Sequence, residues 1–90
     1  MASTFTLSLQ LDFEAWEGME AECETEAHAI QDARKALEAV IELRSALGDP
    51  PSHAAARVAF GSLAKQPDEM VWLGEWGWTT GEGWHWRTGH

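Results

Sequence analysis

Ninety residues make one domain at most, and a hydrophobic fraction of 44% with six tryptophans marks a folded core rather than a disordered acidic tail. Fifteen Asp and Glu against six Lys and Arg leave a formal charge of −9 and a pI near 4.6, which argues against direct binding to nucleic acid or an anionic membrane and for a basic partner. No run approaches the roughly 18 apolar residues of a membrane span, the N-terminus shows no basic region followed by an apolar run, and the lone Cys23 cannot form an internal disulfide, so a cytoplasmic setting is expected.

The first element is a strand over residues 4–13. Phe5, Leu7, Leu9, Leu11 and Phe13 alternate with Thr4, Thr6, Ser8, Gln10 and Asp12, the period of two that puts one face on a core. Residues 19–27 are ambiguous. Their Ala, Glu and Met content favours helix, but Met19, Ala21, Cys23, Thr25 and Ala27 alternate with Glu20, Glu22, Glu24 and Glu26. A helix would stack Glu20 on Glu24 and Glu22 on Glu26, a repulsion of a few tenths of a kcal/mol for each pair, roughly. The spacing therefore predicts a strand over 19–24, joined to the first through a turn near Glu17 and Gly18. Thr25 then caps a helix over 26–47, with Glu26 in its first turn. Its apolar stripe is Ala27, Ile30, Ala33, Leu37, Val40, Ile41 and Leu47, and Gly48 followed by Asp49, Pro50 and Pro51 ends it.

Ser52 is placed to cap a second helix over 53–65, burying Ala56, Ala59, Phe60 and Leu63, with Gly61 weakening it and Pro67 beyond its end. The C-terminal stretch predicts a hairpin turning at Thr80, Gly81 and Glu82. One register sets Trp78 opposite Trp84, Trp76 opposite Trp86 and Glu75 opposite Arg87. Trp72, Trp76, Trp78, Trp84 and Trp86 then share one face, which is expected to be core because Glu75, Gly77, His85 and Arg87 occupy the other. The predicted architecture is α+β: a single domain with an antiparallel sheet of three or four strands and two helices on one face, in the order ββααββ.

The chemistry-bearing residues are few. Cys23, Glu24, His28, His85 and His90 lack the ligand spacing of a zinc site, so neither metal nor other cofactor is expected. No Ser lies in a nucleophile turn, Cys23 has no cationic neighbour, and Gly74, Gly77, Gly81 and Gly83 do not lead into a helix. An enzyme is not expected.

The acidic block remains. Asp12, Glu14, Glu17, Glu20, Glu22, Glu24 and Glu26 hold seven negative charges with no Lys or Arg among them. On a strand, alternate residues stand about 6.6–6.8 Å apart, broadly the spacing of backbone phosphates. Such a row suits a protein groove made for nucleic acid, and Trp16 in its midst is either an interface anchor or a plug at the end of the core. The expected site is these seven carboxylates with Trp16. In size and charge, and in its block over residues 12–26, the chain resembles small acidic phage-encoded anti-defence proteins, the anti-CRISPR and anti-restriction inhibitors. Residues 21–27, AECETEA, also resemble a common strand-to-helix junction of small phage and prokaryotic domains. The resemblance implies a stoichiometric inhibitor of a nucleic-acid-binding bacterial complex in the host cytoplasm. Alternatives are a homodimer or other homo-oligomer joined through the Trp hairpin, and a small-molecule binder using indoles.

Overall fold

Alternation draws Ser3–Leu11 into strand β1 and Glu17–Cys23 into strand β2, paired antiparallel with Phe5 opposite Ala21 and Thr6 opposite Glu20. The computed structural model describes residues 2–62 and 70–89. Helix α1, Glu26–Ala46, starts as predicted: the Thr25 hydroxyl accepts from the His28 backbone N–H at 3.0 Å, satisfying one of the orphan donors of the first turn. Its end lies at Leu47, after which Gly48 takes a φ of 82° that suits a residue without a side chain. The buried stripe runs Ala29, Ala33, Leu37 and Ile41, flanked by Ile30, Ala36 and Val40, whereas Ala27 and Leu47 are exposed. The one described helix, α1, is not long and apolar enough to cross a membrane.

The second predicted helix is a strand. His53–Phe60 forms β3, and residues 63–65 of the predicted helix lie outside the described residues. Its alanines are good helix formers, and they hide the strand because apolar side chains are buried on both of its faces, with Arg57 exposed on the open one. Ala54, Ala56 and Val58 lie towards α1, while Ala55 and Ala59 on the opposite face are also covered. A strand buried on both sides shows no polar–apolar alternation. Small side chains also let α1, which packs mainly on β3, come close. Ser52, expected to cap that helix, instead donates both its N–H and its hydroxyl to Asp12.

Strands β4, Val71–Thr79, and β5, Gly83–Thr88, complete the sheet. The predicted hairpin register is observed, with Trp76 opposite Trp86, Trp78 opposite Trp84 and Glu75 opposite Arg87. The strand order is β2-β1-β3-β4-β5, all antiparallel, so the element order is ββαβββ with five strands and one described helix in place of ββααββ.

Trp76, Trp78, Trp84 and Trp86 join the core cluster beneath α1. The Trp76 indole donates to the Ile30 carbonyl at 2.8 Å, and the Arg34 guanidinium lies 5.1 Å from the Trp76 ring and 4.8 Å from that of Trp84. Trp72 does not share their face. The pairing with β3 shifts between Val58 and Ala59, so Gly74 stands opposite Val58 but Trp72 opposite Ala59. That bulge sends Leu73 to the core and Trp72 to the open face. At Gly74, whose φ is 156°, a Cβ would collide with the Trp86 indole and with the Arg87 carbonyl at 2.5 Å, so glycine is what lets the indole lie against β4.

Candidate functional site

Among the described residues the sheet has one face under α1 and one without a helix, and β2 is one of its two edges. This splits the acidic block by parity. Glu20 and Glu22, opposite Thr6 and Thr4, are exposed on the open face. Glu20 accepts from the Ser62 hydroxyl at 2.6 Å. Glu24 follows in the bend after β2, and Glu26 opens α1; both are exposed. Glu17 lies on the other face and with Glu14 lines a hollow of about 280 Å³ beside Met19, Val40 and Arg44. The strand geometry that aligns Glu20 and Glu22 thus turns Glu17 away from them.

Asp12 serves the turn after β1. Its Oδ1 accepts from the Ser52 N–H at 2.9 Å, the Ser52 hydroxyl at 2.9 Å and the His53 N–H at 3.1 Å. Asp12 and Phe13 both have positive φ, 49° and 61°, a left-handed pair that these bonds help hold. The same donors, the Ser52 hydroxyl foremost, keep the Asp12 carboxyl below its ordinary pKa of 3.8. A depressed carboxyl stabilises fully above its unfolded value, and the contribution disappears as pH falls through the folded value. Stability measured from the urea midpoint is therefore expected to fall below about pH 4 more steeply in the wild type than in Asp12→Asn. Equal slopes would remove Asp12 from the acid response.

Trp16 is half-buried on the open face, with the Arg57 guanidinium 4.1 Å from its ring centroid. Gly18, Ser8, Arg57, Glu75 and Arg87 are direct register partners from β2 to β5, and the small Gly18 and Ser8 leave room for the indole. Arg57 Nε donates to Glu75 Oε1 at 2.8 Å, and Arg87 Nη2 to Oε2 at 3.2 Å. One carboxylate therefore joins two guanidiniums, leaving one positive charge across β3, β4 and β5. Trp72 borders the same row in a hollow of about 400 Å³. The open face is acidic at the β2 edge and basic towards β5. The expected hairpin register pairs Glu75 with Arg87, and Arg57 joins them because His53–Phe60 is a strand rather than the expected helix.

A third grouping sits where β2 meets α1. Cys23, buried at the end of β2, donates its thiol to Asp32 Oδ2 at 3.5 Å, and His28 Nε2 is 3.4 Å from the same oxygen. Burial, and next the hydrogen bond to Asp32, push the Cys23 thiol pKa up, which is the wrong direction for a nucleophile. The thiol faces the carboxylate rather than an imidazole base, so the trio does not have the order of a Cys–His–Asp triad. Asp32 escaped the sequence reading because its approach to Cys23 depends on how the strand meets the helix. His90 lies outside the described residues. Comparison with protein-family models, with curated proteins and with solved structures found no significant match, so function is argued from geometry alone.

Proposed function

We propose that the chain is a non-catalytic protein-binding domain, a stoichiometric inhibitor that offers its acidic sheet edge to the basic groove of a nucleic-acid-binding protein in the cytoplasm. The observation that carries this reading is the placement of Glu20 and Glu22 on one face of the edge strand, with Glu24 and Glu26 continuing the negative charge into α1. Alternate strand positions repeat at about 6.7 Å, and a one-signed row at an edge is sterically open to a groove. The same carboxylates guard the edge against strand pairing with other chains, a role compatible with binding a basic surface. Affinity capture from a bacterial lysate at low salt is expected to retain a protein with a nucleic-acid groove and to release it as salt rises. A partner that stays bound at high salt would overturn the reading.

A second reading is favoured by the hollow at Trp72. Its indole lies beside two arginines that share the Glu75 carboxylate and keep one net positive charge, which suits a small anion with a planar apolar part. Titration with aromatic carboxylates should quench tryptophan emission in the wild type and fail to do so in Trp72→Ala. Without quenching, the hollow is not a ligand site for that class.

A further inference from the structure

Cys23, His28 and Asp32 offer one sulfur, one nitrogen and one oxygen, and these three atoms all lie within 4.8 Å of one another. Zinc takes these ligand types at about 2.0–2.3 Å, and at the tetrahedral angle those lengths place two ligand atoms roughly 3.3–3.6 Å apart. The observed S···O distance of 3.5 Å and N···O distance of 3.4 Å already have that spacing. The trio is built on supported backbone: Cys23 is fixed in the β1–β2 pairing opposite Ser3, and His28 and Asp32 are four residues apart on α1, one turn and therefore one face. Cys23 is 1% exposed, whereas His28 and Asp32 are half-exposed, so the cluster has a buried sulfur wall and an opening to solvent.

We propose that Cys23, His28 and Asp32 bind a divalent transition-metal ion of the zinc class, with the fourth position left to water or to a group from a partner. The mixed S, N, O donor set selects a borderline-soft ion over magnesium or calcium, which take oxygen ligands. On binding, the thiol proton passes to solvent, and the ion's two positive charges meet the thiolate and the carboxylate. The neighbouring Glu24 and Glu26 raise the local cation concentration without being ligands. The ion ties the end of β2 to the first turns of α1, the junction that carries the acidic row.

The site is tested by titrating the tag-free 90-residue chain with Zn²⁺ in a calorimeter and with Co²⁺ in a spectrophotometer. One ion per chain is expected, with a thiolate-to-cobalt band in the near ultraviolet. His28→Gln and Asp32→Asn, both on the exposed helix side and expected to keep the fold, should each weaken Zn²⁺ binding by about 100-fold or more, given that loss of even an outer-shell partner costs about 10–100-fold. Cys23→Ser should abolish the near-ultraviolet band. Absence of saturable binding, or binding unchanged in His28→Gln and Asp32→Asn as for an ion held on other histidines, would overturn the proposal.

Discussion

Replacing Glu20, Glu22 and Glu24 together by lysine is expected to abolish capture of the proposed basic partner while leaving the fold intact. Each replacement changes the charge by +2, so the chain moves from −9 to −3. All three side chains are exposed on or beside an edge strand; the change gives up the exposed Ser62 hydrogen bond to Glu20, roughly 1 kcal/mol, and leaves the core untouched. Across an interface, bringing like charges together costs several kcal/mol, and about 2.7 kcal/mol already corresponds to 100-fold in affinity. A loss of at least about 100-fold is therefore expected, and the corresponding glutamine variant should fall between it and the wild type. Circular dichroism checks the fold, and the affinity of the captured partner for each variant checks the contact. Undiminished binding by the lysine variant would exclude the β2 edge as the contact.

The largest expected effect on stability comes from Leu37→Ala. Leu37 is 0% exposed at the middle of the α1 stripe, and such a truncation leaves a cavity that costs about 2–5 kcal/mol. A domain of this length has roughly 5–14 kcal/mol in total, so a large share of it is at stake. The urea midpoint should fall with little change in slope, and the melting temperature should drop by roughly 10 °C or more. Leu47→Ala is the control. Leu47 has the same chemistry but is 72% exposed beyond the end of the helix, and its change should stay within about 0.5 kcal/mol. If both variants lose the same stability, α1 is not seated as described.

The contrast between these two leucines also marks how far the sequence was legible. A period of two marks β1 and β2, although the strand expected to reach Phe13 stops at Leu11 and Glu17 and Gly18, expected as the turn, open β2 instead; a capping threonine and a terminal glycine bracket α1, and paired tryptophans give the β4–β5 register. Each of those signals is local. Strand β3 escapes the sequence pattern because a central strand with apolar residues buried on both faces shows no alternation, and Ala54, Ala55, Ala56 and Ala59 read as helix when taken by propensity. Trp72 was misplaced for a different reason: a single bulge reverses the parity of what precedes it. At the site, the alignment of Glu20 with Glu22 was visible in the alternation. The commitment of Asp12 to Ser52 and the meeting of Cys23 with Asp32 were not, since they join residues through the fold rather than along the chain.

That α1 is the one helix among the described residues has a geometric consequence for the tryptophans. Five strands spaced by about 4.8 Å make a surface roughly 19 Å wide, while one helix covers about 10 Å of it. α1 lies over β3, and Trp76, Trp78, Trp84 and Trp86 with the Arg34 guanidinium roof the β4–β5 side. Indoles stand in for the helix that the sequence reading had expected beside α1. A bulky flat side chain repeated at every second position can shelter a sheet with far fewer residues than a helix and its two connections require, which is how a chain this short closes five strands over one core.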